Sequence, residues 1–340
     1  MALNMFEAQR PFVEMALGFL RLGNTALDAI FYDVNALSAD LHRHGETIVT
    51  DDEAPAAATS HAPARPRHNL DLSALANPEG AVLIVDTAQP PYVSKPYLDL
   101  AEFVADANTH RPAPRNLSIT GVGSSALGSV AFAWNISKAL GEPVAAIVPG
   151  YGLADVVQQA LGGWFVFGPQ SLLLKMSTQA MMAHMAPEIA NIGHRLMMSA
   201  PEHAETENGG ALFQRGSGSS DVLLGILKRV PSIQRLFGHS KGALVIQNAL
   251  IDDDESLIGR LEIVTFGCAI ATRSPPARLL QFLGMLDWLG WLNSWGNAPT
   301  NAIETWHSTN SWMPLSMRVA DLARADHVYP PAPVSVSSLA

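Results

Sequence analysis

The sequence predicts an α/β fold in which a mainly parallel sheet is covered by helices on both faces. Compact apolar runs typical of buried strands alternate with segments of helical spacing from residue 81 to residue 267, and this alternation indicates βαβ units. Of the 340 residues, 48% are hydrophobic and only 15% are charged. No repeat of roughly 20–50 residues is evident. The chain is therefore expected to bury the core of one large domain or two modest ones.

The predicted elements follow one another in a regular order. Helices are expected in KPYLDLAEFVADAN (95–108) and SALGSVAFAWNISKAL (125–140), and Gly141 is suited to end the second of them. The expected strands are AVLIVD (81–86), LSITGVG (117–123), PVAAIVPGYG (143–152, a strand and then a turn), IQRLFG (233–238) and LEIVTFG (261–267).

A long insertion separates the third of these strands from the fourth. Residues 153–230 are too many for one crossover helix, and their segment KMSTQAMMAHMAPEIANIGHRLMM holds six of the twelve methionines. Because methionine packs adaptably on varied apolar partners, this segment is compatible with a helical lid or cap over a substrate, although the interpretation that follows is preferred. The alternative is a set of ordinary helices packed on the sheet, since methionine stripes at helical spacing are usually core.

The remaining segments differ from this body in composition. Residues 1–48 carry apolar side chains at helical spacing, which predicts an N-terminal helical appendage. Residues 49–77 are rich in alanine, proline and charge, which predicts a flexible linker to a catalytic domain over 78–330. Residues 331–340 are expected to form a disordered tail.

Charge and cysteine content argue against several classes of protein. The net charge of −10, without any Lys/Arg run, argues against binding of nucleic acid. The single cysteine, Cys268, excludes an intramolecular disulfide and zinc sites built on several cysteines. No signal peptide is evident, and the most apolar later stretch, 279–292, is shorter than the roughly 20 residues that span a bilayer. We therefore expect a soluble cytoplasmic protein with no transmembrane segment, no cofactor and no metal.

One short stretch carries the chemical hypothesis. Gly238-His239-Ser240-Lys241-Gly242 follows an apolar strand and precedes the helical run GALVIQNAL. Strand, tight turn and helix in this order are what a nucleophile elbow requires. Glycines two residues before and after the serine let strand and helix approach closely, and the helix N-terminus stabilises developing negative charge. Ser240 is therefore the predicted catalytic nucleophile.

The segment GHSKGALVIQNAL, with the strand LEIVTFGCAI after it, resembles the nucleophile elbow and next strand of α/β-hydrolases, most closely of lipase-like members. The resemblance covers residues 230–310 and extends more loosely back to residue 80. It implies a fold of α/β-hydrolase type and a serine hydrolase that acts on esters. Lys241 departs from the pattern, because many lipases have an apolar residue there, but the oxyanion hole needs only its backbone N–H.

A catalytic serine needs a general base, and in this fold the chain order is Ser, Asp/Glu, His. Only His307 and His327 follow Ser240 in the chain. His307 comes after a loop rich in Asn, Pro and Gly, which suits a base at the carboxyl edge of a sheet. His327 lies beside a Pro-rich tail, where a solvated histidine is expected. His307 is therefore the predicted base, with His327 as the alternative, and structural roles for both stay open.

The predicted acid is Asp287, which ends the apolar run LLQFLGML. This run is compatible with a strand, and a lone aspartate there needs a partner such as a histidine N–H, because an unpaired buried charge is costly. The alternative is an amphipathic helix over 276–292 with Asp287 facing water. Glu304 is the second candidate for the acid. A solvated loop is expected to hold Asp252, Asp253 and Asp254.

Two backbone N–H groups are needed to bind an oxyanion. One is expected from Lys241, the residue after the nucleophile. The second is expected from the loop TGVGSSALG (120–128), at Val122, Gly123 or Ser124. This loop resembles the H-G-x-G-x-S loop of many hydrolases, and VPGYG (148–152) is the alternative. A dinucleotide site is disfavoured, because the loop lacks G-x-G-x-x-G spacing.

Five of the seven tryptophans surround both proposed partners of the serine: Trp288, Trp291, Trp295, Trp306 and Trp312. Such a cluster lines an acyl or aromatic pocket, or it caps the core, and both interpretations stay open. For a pocket, the expected substrate-binding residues are His239, Trp288 and Trp306.

Together these residues predict a serine-dependent carboxylic ester hydrolase with a Ser-His-Asp triad. The apolar surroundings favour a hydrophobic acyl or polyester substrate over a peptide or a sugar. One alternative is a non-catalytic protein that coats a lipid or polyester-granule surface through amphipathic helices within residues 1–45, a role that can coexist with hydrolysis. Another is an acyltransferase that uses the same triad with an alcohol in place of water.

Overall fold

The structure of the chain is a computed structural model that describes residues 26–49, 68–72, 77, 79–109, 112–121, 124–149, 218–250, 255–294 and 296–324. Most of the predicted linker, most of the predicted lid and the whole predicted tail lie outside these residues.

A seven-stranded, mostly parallel sheet forms the centre of the fold. Two further strands, β1 (Glu46–Val49) and β2 (His68–Asp71), pair in parallel as a small sheet of their own. The strands of the large sheet are β3 (Val82–Val85), β4 (Asn116–Ile119), β5 (Val144–Ile147), β6 (Arg235–His239), β7 (Glu262–Phe266), β8 (Arg278–Gly284) and β9 (Asn301–Ile303). They lie in the order β3, β5, β4, β6, β7, β8, β9. The β3–β5 pair is antiparallel, and the other five pairs are parallel.

Helices cover both faces of the large sheet. The described residues form the helices α1 (Val34–Arg43), α2 (Leu100–Thr109), α3 (Ala126–Leu140), α4 (Gly218–Arg229), α5 (Lys241–Ala249), α6 (Glu255–Gly259), α7 (Trp288–Asn293) and α8 (Val319–Ala323). Alternate residues of β3 enter two separate hydrophobic clusters: Leu83 and Val85 join one, Val82 and Ile84 the other. This is the pattern of a strand buried on both sides. The predicted α/β class, with a mainly parallel sheet flanked by helices, is confirmed.

The helix predicted over 125–140 is observed as α3, with both of its predicted ends. The Ser125 side chain accepts a hydrogen bond from the Leu127 N–H at 3.0 Å and so caps the N-terminus. Gly141 follows the last turn with a φ of 67°, a left-handed conformation that glycine adopts without steric cost.

The apolar run before Asp287 is a strand. Its residues form β8, which pairs in parallel with β7 on one side and with β9 on the other. The alternative of an amphipathic helix over 276–292 is wrong, because α7 begins only at Trp288. Pairing within the sheet buries Phe282 and Leu283, which accounts for the strand.

Part of the predicted N-terminal appendage packs directly on the body. Residues 26–31 form a helical segment that leads into α1. The apolar side of α1 carries Val34, Leu37 and Leu41, all buried in the same hydrophobic cluster as Phe132 of α3. Because residues three and four apart share one helix face, this face requires a partner surface, and α3 supplies it. The division of the chain into an appendage, a linker and a catalytic domain stays a prediction.

Within the described part of the chain, none of the helices has the length and apolar character that crossing a membrane requires.

Candidate active site

Ser240 lies in the sharp turn between β6 and α5, at the centre of the large sheet. Its φ of 53° and ψ of −126° place a non-glycine residue in a sparsely populated, strained conformation. A Cβ added to Gly238 would stand 2.8 Å from the backbone of Ala243, and one added to Gly242 would stand 2.3 Å from the Ile119 carbonyl oxygen. The prediction that these two glycines permit close approach of strand and helix is confirmed.

The structure brings Ser240, His307 and Asp287 together in one hydrogen-bonded row. His307 Nε2 lies 2.9 Å from Ser240 Oγ, and His307 Nδ1 lies 2.7 Å from Asp287 Oδ2. Since an ionised carboxylate only accepts, the Nδ1–H donates to Asp287, and Nε2 keeps the lone pair that accepts the Ser240 hydroxyl. All three residues are buried, so water competes little for these bonds.

Local structure holds Asp287 and His307 in place. Asp287 is the N-cap of α7, and its second oxygen, Oδ1, accepts the Gly290 N–H at 2.7 Å. Gly267, which directly follows β7, packs against the pair. A Cβ there would stand 2.9 Å from His307 Nδ1 and 3.2 Å from Asp287 Oδ2. The bare backbone of Gly267 therefore makes room for the imidazole–carboxylate contact.

The loop after β4 lies beside Ser240. A Cβ added to Gly121 would stand 3.3 Å from Ser240 Cβ and 3.7 Å from its Oγ. The predicted oxyanion donors Val122 and Gly123 lie outside the described residues. Ser124 lines the cavity, but its N–H donates to the Gly121 carbonyl at 3.2 Å and its hydroxyl donates to a neighbouring carboxylate.

Lys241 begins α5 directly after Ser240. Because N–H groups in the first turn of a helix point towards its N-terminus, its N–H stands on the serine side of the helix. The alternative oxyanion loop, 148–152, follows β5, which is one strand further from β6 than β4 is. Its glycines lie outside the described residues.

The cavity at Ser240 is walled by a segment that the sequence analysis did not assign to the site. The described residues that line it are Leu27, Asp28, Phe31, Tyr32, Gly121, Ser124, His239, Ser240, Leu289 and His307. Four of these ten residues come from 27–32, within the predicted appendage. The signal was present, since Asp28 is a lone carboxylate on an apolar helical stretch, the same feature that singled out Asp287.

Tyr32 and His239 connect the walls of this cavity. The Tyr32 hydroxyl lies 2.9 Å from His239 Nδ1 and accepts the Gly121 N–H at 2.9 Å. His239 Nε2 lies 2.9 Å from the His307 carbonyl oxygen. A carbonyl only accepts, so His239 carries its proton on Nε2, and Nδ1 accepts from Tyr32. Burial, reinforced by the nearby His307, lowers the pKa of His239 to about 3, which keeps the ring neutral.

Asp28 is a fully buried carboxylate at the N-terminus of α3. It accepts hydrogen bonds from Ser124 Oγ at 2.9 Å, from Ser125 Oγ at 2.5 Å and from the Ser125 N–H at 3.1 Å. Burial raises the pKa of Asp28 to about 7, and the hydrogen bonds from Ser125 and Ser124 offset part of the rise. The bonds tie the N-terminal segment to the loop after β4.

Apart from His239, the other residues singled out from the sequence do not line the cavity or lie outside the described residues. His239 lines the cavity, although both of its ring nitrogens are bonded to protein atoms. Trp288 is 73% exposed and Trp306 is half-buried, and neither lines the cavity. The second acid candidate, Glu304, is exposed. Positions outside the described residues are Trp295, His327, Asp252, Asp253 and Asp254.

None of the four tryptophans that the structure describes in this region lines the cavity at Ser240. Trp288, Trp291 and Trp312 are 73%, 43% and 76% exposed. The Trp291 indole N–H donates to the Gly284 carbonyl at 3.0 Å, which fixes α7 against the end of β8. Among the residues described, no group of three His, Cys, Asp or Glu side chains is placed to hold a metal ion.

Comparison of the chain with known protein families, with curated proteins and with solved structures found no match. The function of the protein is therefore inferred from the geometry of the site and from the resemblance of the elbow segment.

Proposed function

We propose that the protein is a serine hydrolase of carboxylic esters with a fold of α/β-hydrolase type. The observation that carries the proposal is the row of hydrogen bonds from Asp287 through His307 to Ser240, at 2.7 and 2.9 Å. A hydroxyl, an imidazole and a carboxylate in this order are a nucleophile, its general base and the group that orients the base. The positive φ of Ser240 supports the proposal, because strained residues of this kind concentrate at functional sites.

The arrangement of the sheet also supports this proposal. Ser240 follows β6, a central strand, while Asp287 and His307 follow β8 and β9 on one side of it. The loop after β4, on the other side, supplies Gly121 next to the serine. In parallel sheets, ligands bind at the carboxyl ends of strands, and these loops all leave from those ends.

In the proposed first step, Ser240 Oγ bonds to the ester carbonyl carbon while its proton passes to His307 Nε2. The carbonyl oxygen takes the electron pair and becomes an oxyanion. His307, held by Asp287, then gives the proton to the alcohol oxygen as the carbon–oxygen bond breaks, which leaves the acyl group on Ser240. Water releases the acid by the same steps, with His307 taking its proton and returning one to Ser240.

For the oxyanion we propose the backbone N–H of Lys241 and an N–H of the Val122–Ser124 loop. The first stands at the N-terminus of α5, where the helix dipole favours negative charge. The second belongs to the loop that begins at Gly121 beside Ser240. In the described structure the Ser124 N–H is bonded to Gly121, which favours Val122 or Gly123 as the donor.

For the substrate we propose an ester with a hydrophobic acyl group, or a polyester. The side chains of Leu27, Phe31 and Leu289 give the cavity an apolar wall. The loops that carry Asp287 and His307 also expose large apolar side chains: Met285, Leu286, Trp288, Leu292, Trp312 and Leu315. Exposed apolar side chains near a site suit a substrate presented at a lipid or polyester surface.

The test is hydrolysis of p-nitrophenyl esters of increasing acyl length by the wild type and by Ser240→Ala. We expect hydrolysis by the wild type and a loss of about 10³-fold or more in kcat for the variant. The matched control, Ser256→Ala on α6, changes an exposed serine that does not line the cavity and should keep full activity. Full activity in Ser240→Ala would overturn the proposal. Adding an acceptor alcohol separates an acyltransferase from a hydrolase, because an acyltransferase forms the new ester in preference to the free acid.

A further inference from the structure

The segment from Asp28 to Asp33 bridges two loops of the proposed site. On one side Asp28 accepts hydrogen bonds from Ser124 and Ser125, in the loop after β4. On the other side, the segment contacts the residues that follow His307. Because the last carbonyls of a helix have no partner within it, they need outside donors, and the loop after His307 supplies them.

The bonds to that loop are several and short. Ser308 Oγ donates to the Ile30 carbonyl at 2.6 Å, and Thr309 donates to the Phe31 carbonyl through Oγ1 at 2.6 Å and through its N–H at 3.0 Å. Asn310 Nδ2 donates to the Ala29 carbonyl at 2.6 Å. These bonds attach the segment from Asp28 to Asp33 to the loop after His307, just as the bonds of Asp28 attach it to the loop beside Ser240.

Tyr32 belongs to this segment, and its hydroxyl takes part in a continuous series of three hydrogen bonds. The Gly121 N–H donates to the Tyr32 oxygen, Tyr32 donates to His239 Nδ1, and His239 Nε2–H donates to the His307 carbonyl. Each of the three bonds is 2.9 Å long. Tyr32 is buried among Phe132 and His239, with ring centroids at 6.0 and 5.3 Å. Burial raises the pKa of Tyr32, so the phenol keeps its proton for His239.

We propose that Tyr32 is a positioning residue for the hydrolytic site, because its hydroxyl fixes the start of the loop beside Ser240 and holds the His239 ring so that its Nε2–H donates to the backbone carbonyl of His307. This inference rests on the proposed function. It also gives His239 a role other than substrate binding, since both of its ring nitrogens take part in this series of hydrogen bonds.

Loss of the Tyr32 hydroxyl affects both ends of this series of hydrogen bonds, at Gly121 and at His307. Without it, the Gly121 N–H and His239 Nδ1 lose their partner in a buried place, which is costly. The His239 ring then loses the bond that fixes its orientation, and its Nε2–H donates less well to the His307 carbonyl. The weakened bond lets the His307 loop shift, and a misplacement of about 1 Å costs about 100-fold in rate. The cavity wall that binds substrate keeps its side chains.

Tyr32→Phe tests the inference, with Tyr97→Phe as a matched control. Tyr97 donates its hydroxyl to Asp106, and it does not line the cavity. For Tyr32→Phe we expect kcat on a p-nitrophenyl ester to fall by about 10- to 100-fold, with KM within about two-fold of wild type. Tyr97→Phe should keep the wild-type kcat. A wild-type kcat in Tyr32→Phe, or a change in KM alone, would overturn the inference.

A second measurement does not depend on the variant being folded. In the wild type, the nitrogen and proton shifts of the His239 ring should show the neutral Nε2–H tautomer, with Nδ1 as an acceptor. The Nδ1–H tautomer in the wild type would overturn the inference. In Tyr32→Phe, the inference predicts that the ring keeps Nε2–H, that Nδ1 loses its hydrogen bond, and that the Nε2–H shift shows a weaker bond to the His307 carbonyl. An Nε2–H shift unchanged from the wild type would overturn the inference.

Failure of the proposed function looks different. If the wild type neither hydrolyses esters nor reacts with a fluorophosphonate at Ser240, the function fails and no ratio of rates can be formed. If the wild type hydrolyses esters and Tyr32→Phe hydrolyses them equally fast, the proposed function is supported and the proposed role of Tyr32 is wrong.

Discussion

The ring of Phe31 stands edge-on against the ring of His307, with centroids 5.6 Å apart and planes at 89°. An aromatic side chain from the N-terminal part of the chain thus contacts the proposed general base directly. Phe31 lines the cavity at Ser240 together with Leu27 and Asp28. The size of the acyl group that the site accepts is therefore expected to depend on residue 31.

Phe31→Ala is predicted to widen the specificity for acyl groups. Removal of the ring enlarges the apolar cavity, so the kcat/KM ratio of a bulky acyl ester to an acetyl ester should rise about ten-fold. The control is Ile30→Ala, which changes a 39% exposed neighbour that does not line the cavity. An unchanged ratio in a folded Phe31→Ala variant would show that residue 31 does not limit the acyl site.

Asp287→Asn is predicted to lower kcat by about 10⁴-fold. An asparagine keeps the side-chain oxygen that caps α7 at Gly290, but it cannot hold His307 as a carboxylate does. The fold should therefore persist while the base loses its orientation. The control is Glu304→Gln, the second acid candidate of the sequence analysis, which should leave kcat unchanged. A large loss in Glu304→Gln with a mild effect at Asp287 would reverse the assignment.

Gly242→Ala is predicted to lower the free energy of unfolding by about 1–3 kcal/mol. The new methyl group would stand 2.3 Å from the Ile119 oxygen and 2.6 Å from the Thr120 oxygen, both backbone atoms that move only with β4 and its loop. Gly259→Ala, where no atom lies within 4 Å of the added Cβ, should cost far less. Urea unfolding measures both. Equal stability of the two variants would contradict the close approach of α5 to β4.

The raised pKa of Asp28 predicts that the free energy of unfolding falls as pH rises. Its pKa is raised by burial from 3.8 to about 7 in the folded state. Between about pH 4 and pH 7 the unfolded chain has released this proton while the folded chain retains it, so ionisation favours the unfolded state. Relative to Asp28→Asn, the wild type should lose a few kcal/mol of unfolding free energy over this range and change little above it. A difference between the two proteins that stays constant from pH 4 to pH 8 would exclude a raised pKa.

The elbow and its two partners could be predicted because their signals are local. Ser240 lies between a strand and a helix with glycines at fixed distances, and Asp287 is a lone charge at the end of an apolar run. His307 was found by chain order, because only two histidines follow the serine. The signals at Ser240 and Asp287 each lie within a few neighbouring residues, so they can be interpreted without knowledge of the fold.

The N-terminal wall could not be predicted in the same way, because its partners lie far away in the chain. Asp28 meets Ser125 across 97 residues, and Tyr32 meets His239 across 207. The alanine- and proline-rich stretch after residue 49 predicted an independent segment, and composition alone does not show which surface the helices before it cover. Apolar side chains at helical spacing did predict helices in this part of the chain, but the surface on which Val34, Leu37 and Leu41 pack, α3, appears only in the structure.

The central claim is that Ser240 is an activated nucleophile, and labelling with a fluorophosphonate tests it most directly because no substrate need be known. The account predicts covalent modification of the wild type, mapped by mass spectrometry to Ser240, with labelling lost in Ser240→Ala and strongly slowed in Asp287→Asn. An unlabelled wild type under conditions that label a known serine hydrolase, or a label on any other residue, would contradict it.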